Sequence, residues 1–337
     1  MTKLLKDIHR HTLCCSLMSV AAYSVLLFTA ISCAQDMPST PQQEQIPISM
    51  SASAVESIAS SRALITNNNL QGVHLGVYAT KTVASSNSPI LVFNNVELEY
   101  KNSVWDYSPK RYWDRTATYN FVAYAPYSRE SAKTVYVPED NTLTINNIPY
   151  WQEINGNEID YLVAHSSGTA ENYLSNTTST AVSFNFSHIL SQFIVHIVKD
   201  GNFAHTKYKV MKVEYINVPA SNGTANYTNT NEFTGIIAAS IIEGFSGEKE
   251  VTQNASDITL SHLVVPFSGN NNIKIKVTYT VEGTERTKTV DTQISSLNAG
   301  KYNELTLTFM GTNIVPFVEI KDWTDVDDVD EDPKYNW

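Results

Sequence analysis

From residue 90 onward, apolar and polar residues alternate in short runs. Val96, Leu98 and Tyr100 interleave with Glu97, Glu99 and Lys101, and Val182, Phe184 and Phe186 with Ser183, Asn185 and Ser187. The longest run sets Ile273, Ile275, Val277, Tyr279 and Val281 against Lys274, Lys276, Thr278 and Thr280; Leu305, Leu307 and Phe309 repeat it near the end. Successive side chains on a strand point to opposite faces, so each run predicts a strand with one face in a core and the other in water. Loops such as Asn67-Asn68-Asn69, Ser221-Asn222-Gly223 and Asn270-Asn271-Asn272 separate the runs. Many short strands with such punctuation predict an all-β chain built of antiparallel sandwiches. A helical period is missing except over 187–193, where a short helical turn is expected.

Ahead of this region the pattern changes twice. Residues 13–31 form an almost uninterrupted apolar stretch, preceded by Lys3, Lys6 and Arg10 and closed by Ala30-Ile31-Ser32-Cys33. All three cysteines, Cys14, Cys15 and Cys33, lie at or inside this leader, so no internal disulfide can form beyond it. A basic start, an apolar middle and a small residue before a cysteine predict a bacterial lipoprotein signal over 1–32, with Cys33 diacylated as the mature N-terminus. Ala30 stands where a bulkier aliphatic residue is usual. About 20 apolar residues can also span a bilayer, so an uncleaved anchor is the other reading. Under the first reading the lipid holds the chain on the outer membrane, outside the cytoplasm. Residues 34–61, rich in Ser, Gln and Pro and without aromatic residues, predict a flexible tether.

Without disulfides, stability has to come from burial. From Cys33 the chain has 305 residues, enough for two cores of ordinary domain size. The loop-rich stretch 166–180 separates two strand-rich halves. The expected organisation is a signal over 1–32, a leader or tether over 33–62, one β-sandwich over 63–178, a second over 179–323 and an acidic tail over 324–337. The formal charge is −11 and becomes −13 when Lys3, Lys6, Arg10 and Asp7 leave with the signal. Such a surface repels phosphate backbones, which excludes nucleic acid as a partner.

Candidate chemistry is sparse. His74, His165, His188, His196, His205 and His262 fall into no HExxH, His-x-His or Cys-His zinc spacing. Nor does the chain contain a nucleophile elbow, a Walker loop or a dinucleotide fingerprint. The expectation is therefore no catalytic residue, no metal and no cofactor. His188 and His196 neighbour apolar strand residues and read as core or edge positions. Tyr100, Trp105, Tyr107, Tyr112, Trp113, Tyr119, Tyr124 and Tyr127 crowd one short segment; exposed, they would stack on sugars, but their spacing favours packing inside. After Trp323, six carboxylates between Asp325 and Asp332 offer hard oxygen ligands for calcium. They lack the glycine and distal glutamate of an EF-hand loop, which leaves a solvated tail as the simpler reading.

Four segments together resemble one family. Trp105, Tyr112-Trp113 and Tyr119-Asn120-Phe121-Val122-Ala123-Tyr124-Ala125-Pro126 form an aromatic run, followed by Asp160-Tyr161-Leu162-Val163-Ala164. Val182-Ser183-Phe184-Asn185-Phe186-Ser187-His188-Ile189-Leu190 continues into Ser191-Gln192-Phe193-Ile194-Val195, and Leu297-Asn298-Ala299-Gly300-Lys301-Tyr302 precedes Ile320-Lys321-Asp322-Trp323. In this order, behind a lipoprotein leader, they are similar to the fimbrillin-like lipoproteins of the Bacteroidetes, over about residues 63 to 323.

The resemblance implies two tandem transthyretin-like sandwiches and a structural role, as shaft, accessory or tip subunit of a surface pilus, with other fimbrial subunits as partners. It also implies that an arginine-directed protease cuts near the mature N-terminus, removing the first strand so that a neighbour's strand fills the groove. Arg62, followed by Ala63, matches the cleavage position, and it is the only Arg or Lys between Cys33 and Lys81. Read from the residues alone, Arg62 is an exposed linker residue. The segment before it, Ile46, Ile48 and Met50, then Ala52, Ala54 and Ile58, alternates at its start as a removable strand should. At the other end, Ile314, Pro316, Val318 and Ile320, or else Val315, Phe317 and Glu319, alternate imperfectly for a donor strand, and the acidic tail is too charged to enter a groove cheaply. The competing reading is a monomeric surface lipoprotein that binds a glycan or a host protein.

Overall fold

The computed structural model describes residues 45–54, 64–86, 88–176, 180–220, 222–236 and 240–323. They form an all-β structure, as the period of two predicts. The first strands are β1 (Met50–Ala54), β2 (Leu75–Val83), β3 (Ile90–Lys101), β4 (Val104–Asp106), β5 (Ala117–Ala125), β6 (Thr134–Val137), β7 (Thr142–Pro149), β8 (Trp151–Glu153) and β9 (Leu162–Thr169). A short helix α1 (Ala170–Leu174) follows, capped by the Thr169 side chain, which accepts the Asn172 N–H. Then come β10 (Val182–His188), β11 (Ser191–Lys199), β12 (Tyr208–Val218), β13 (Thr224–Thr228), β14 (Glu232–Thr234), β15 (Ser240–Glu250) and β16 (Thr259–Val264). The last are β17 (Phe267–Ser268), β18 (Lys274–Val281), β19 (Thr284–Asp291), β20 (Ser296–Leu297), β21 (Lys301–Met310) and β22 (Asn313–Asp322).

Strands β1, β10, β9, β5, β2, β3 and β4 close into a barrel in that order. A five-stranded sheet, β22-β21-β11-β16-β8, and a four-stranded sheet, β15-β12-β18-β19, share a second apolar core that includes Phe193, Val213, Ile275, Leu305 and Phe309. A smaller sheet, β14-β13-β7-β6, covers a third core against the outer faces of β2 and β5 and against Leu190, Leu263 and Trp323. Most neighbours are antiparallel, but β1 runs parallel to β10 and β11 parallel to β21.

Burial explains where alternation is visible. β10 has a free outer face and buries every second residue, Val182, Phe184 and Phe186 among them. β2 is covered on both faces: Leu75, Val77 and Ala79 enter the barrel while Tyr78 enters the third core. Its six leading residues are consecutively buried, as expected of a strand with apolar contacts on both sides. Gly76 is required here, because a Cβ would lie 2.1 Å from the ring of Tyr124. That ring crosses the vacated position to donate from its hydroxyl to Asn95 Oδ1 at 2.8 Å.

β10 begins beyond the expected division at 178/179 and completes the barrel by pairing with β9 and β1. The helical turn expected over 187–193 does not form. β10 ends at His188 and β11 starts at Ser191, where pairing with β16 on one side and β21 on the other holds the backbone extended.

The sandwich also buries a histidine. His262 on β16 is 3% exposed, packed between Trp151 and Tyr215, and its Nε2 is 3.1 Å from the Tyr215 hydroxyl. Burial pushes its pKa down to about 3, so it is neutral in the fold at neutral pH. An unfolded histidine takes up a proton near pH 6.5, so the unfolded chain binds more protons below that value and stability is lost as pH falls toward 3. Urea unfolding across this range should show a loss of at most about 1.4 kcal/mol per pH unit from this group. His262→Phe should flatten the dependence, and an unchanged slope would clear His262 of it.

Candidate assembly site

The removable strand expected from the sequence is in place as a stave of the barrel. Its even positions face inward: Ile48, Met50 and Ala54 are buried, and Ile46 and Ala52 pack against the same cluster. Serines at 49, 51 and 53 take the outer face. On one side β1 pairs with β10 from Met50 opposite Val182 to Ala54 opposite Phe186. Ser53 Oγ donates to Asn185 Oδ1 at 2.8 Å, and the hydroxyls of Ser51 and Ser183 are 3.1 Å apart.

The other side of β1 is held more sparsely. Met50 pairs with Trp105 of β4, and Pro47 bridges to Tyr112. Ile48 N–H donates to Arg111 O at 2.8 Å, Trp113 N–H to Ile46 O at 3.0 Å and Tyr107 O–H to Ile48 O at 2.8 Å. The seat is aromatic, with Trp105, Tyr107, Trp113, Phe184 and Phe186 in the same core. Of the crowded aromatics, Trp105, Tyr107, Trp113, Tyr119 and Tyr124 are buried, while Tyr112 is exposed. Burying Ile48 and Met50 is worth roughly 1.5–3 kcal/mol each, against about 1 kcal/mol net for one ladder hydrogen bond. Side-chain pockets therefore decide which strand fits.

Cys33, Arg62 and Ala63 lie outside the described residues, as does the acidic tail. The chain resumes at Leu64, which is fully buried in the third core, and Ile65 enters the barrel core. Ile65 N–H donates to Asp160 Oδ2 at 2.9 Å. Asp160 is itself fully buried, and His188 Nδ1 lies 3.0 and 3.1 Å from its two carboxylate oxygens. The His188 ring stacks on Trp323, with centroids 4.0 Å apart and planes 3° from parallel. The backbone N–H of Trp323 donates to Gly300 O at 3.0 Å. Nearby, Asn69 Nδ2 donates to Leu64 O at 2.6 Å, and Asn67 Oδ1 accepts Ala54 N–H at 2.8 Å, tying the end of β1 to the segment beyond residue 63. Asp160, His188 and Trp323 come from three separate motifs of the sequence, and the fold brings them together.

At the far end, β22 is an edge strand hydrogen-bonded to β21 over ten residue pairs. Ile314 is buried and Val318 packs against the sandwich core, whereas Val315, Phe317 and Ile320 are exposed, Phe317 by 67%. Beside it on the sheet, His196 Nε2 meets Glu304 Oε1 at 3.0 Å. The hydrogen bond that His196 donates to Glu304 raises its pKa against the opposing pull of burial.

The sequence profile of the fimbrillin-like family matches residues 61–323. The chain belongs to the fimbrillin-like family. Among solved structures, a fimbrial protein from Bacteroides vulgatus is similar at 16% identity and a TM-score of 0.52, over 82% of this chain and 99% of that one. A candidate cell adhesion protein from Bacteroides ovatus is similar at 15% identity and a TM-score of 0.50, over 84% and 99%. At these identities the likeness is one of fold. No curated protein matches the chain. As a fimbrillin-like protein it falls in the fimbrial class.

The buried Asp160 carboxylate should be the costliest group in this site to remove. Asp160→Ala leaves His188 and the Ile65 N–H unpaired and should lower stability in urea unfolding by about 3–5 kcal/mol. A loss below about 1 kcal/mol would mean that packing alone holds the three segments.

Proposed function

We propose that this fimbrillin-like protein is a non-enzymatic structural subunit of a fimbria, reaching the outer membrane as a lipoprotein lipidated at Cys33. Cleavage after Arg62 matures it, and a strand from a neighbouring subunit replaces β1. The observation that carries the reading is that β1 is a stave joined to the body by residues 55–63, while the chain beyond them is pinned at once by Leu64 and by the Ile65–Asp160 hydrogen bond. A cut between Arg62 and Ala63 severs β1 covalently without loosening the body. Because Cys33 and β1 both precede Arg62, the same cut separates the lipid from the subunit and frees the seat.

The accepting role is better supported than the donating one. β22 is zipped along its length to β21 and contributes Ile314 to the sandwich core. Leaving would open that core, and Pro316 has no N–H to give to a new ladder. Shaft, accessory and tip positions therefore all stay within the proposal. The monomeric adhesin reading has its own support in a cavity of about 550 Å³ whose lining includes His165, Asn185, Tyr227, Asn229 and Asn231.

N-terminal sequencing and intact mass of protein sheared from cells and kept unboiled should find a start at Ala63 within a ladder of multimers. Arg62→Ala should abolish both the new terminus and the ladder. Normal assembly of this variant would refute cleavage at Arg62, and a lipidated Cys33 start in a monomer band would favour the adhesin.

A further inference from the structure

Just before β2, the fold assembles a donor set that no spacing in the sequence announces. Glu97 and Glu99 stand two apart on β3 and so leave the same face of the sheet. The β2–β3 register, which sets Gly76 opposite Glu97 and Leu75 opposite Leu98, carries His74 to that face. His74 Nδ1 is 2.7 Å from Glu97 Oε1 and 3.7 Å from Glu99 Oε1. One ligand atom from each of the three residues lies within 4.8 Å of the others. In the β3–β4 ladder Asp106 stands opposite Glu99, and Glu97, Glu99 and Asp106 line one depression of about 430 Å³. Like charges facing each other across a ladder destabilise it unless a cation lies between them.

The cations that now answer these carboxylates are long surface side chains. Arg129 reaches Glu97 at 2.8 Å with 79% of its side chain exposed, Lys101 reaches Glu99 with 62% exposed, and Lys110 reaches Asp106. Exposed pairs of this kind are worth about 0–1 kcal/mol, so the cations can return to water at little cost. Glu97 and Glu99 are more enclosed, at 21% and 26% exposed, and stand on strand backbone.

We propose that His74, Glu97 and Glu99 form a binding site for a divalent metal ion of the zinc class. One imidazole nitrogen and two carboxylate oxygens suit zinc with an open fourth position, whereas calcium and magnesium take oxygen ligands alone. The metal displaces Arg129 and Lys101 and staples the entry of β2 to β3, with Asp106 of β4 alongside. It thereby braces the three consecutive staves that end at the seat of β1.

The test is calorimetric titration of the full-length, detergent-solubilised, metal-free chain with zinc chloride, together with thermal unfolding. Wild type should bind zinc saturably and unfold at a higher temperature with it. His74→Ala should weaken binding by at least about tenfold and lose the thermal shift, while unfolding like wild type without metal. Replacing the competing cations, Arg129→Ala with Lys101→Ala, should tighten binding, a direction that scattered surface binding does not produce. Absence of saturable binding overturns the proposal. So does equal affinity in wild type, His74→Ala and Glu97→Gln, which would put the metal elsewhere, for example on the carboxylates after Trp323.

Discussion

A barrel has no edge only while its last stave is present. Here that stave is β1, and the structure of the first half depends on its pairing with β10 on one flank and with β4 and the segment after it on the other. Without it, two strands present unpaired N–H and C=O groups, and a row of aromatic rings faces a slot. The chain meets this constraint with a strand that is locally ordinary, five residues with small serines outside and Met50 inside, preceded by the inward Ile48. Its short ladder distinguishes it from β2 and β5, which are paired on both sides over six to eight residues and covered on both faces.

The second dependence is electrostatic. A carboxylate with no solvent contact must be answered by donors, and Asp160 is answered by Ile65 and His188. His188 leads β10 out of the barrel toward β11, and Trp323 directly follows β22. One buried carboxyl group thus links the segment beginning at Leu64, the crossing between barrel and sandwich, and the residue that follows β22. The Asp, His and Trp of three distant sequence segments are coupled by contact: Asp160 faces the His188 ring nitrogen, and that ring stacks on Trp323.

Where a strand has one wet face, the sequence disclosed it. The alternation at 46–54, 182–186, 273–281 and 305–309 corresponds to strands whose inner residues are buried. β2 was illegible by period because both of its faces are covered. The stretch 166–180, read as loop, holds the end of β9 and α1, because a strand edge rich in Ser and Gly pairs through its backbone and needs no apolar side chains. The helical expectation over 187–193 failed because the run of apolar residues there belongs to two strands meeting at a bend. Pairing partners are another matter. Nothing in a period of two says that β10 lies beside β1, or that His74 lies beside Glu97 and Glu99; both are consequences of register between segments far apart in the chain.

The parallel alignment of β1 with β10 has a consequence for symmetry. Any chain segment that occupies this seat with the same main-chain partners must point the way β10 points. It must also come from a part of its own subunit other than the seat. Contact of that kind joins unlike surfaces and cannot be its own mirror under a two-fold axis. Where such contacts neither close into a ring nor are exchanged reciprocally between two copies, the copies all face one way, and the two ends of the array differ.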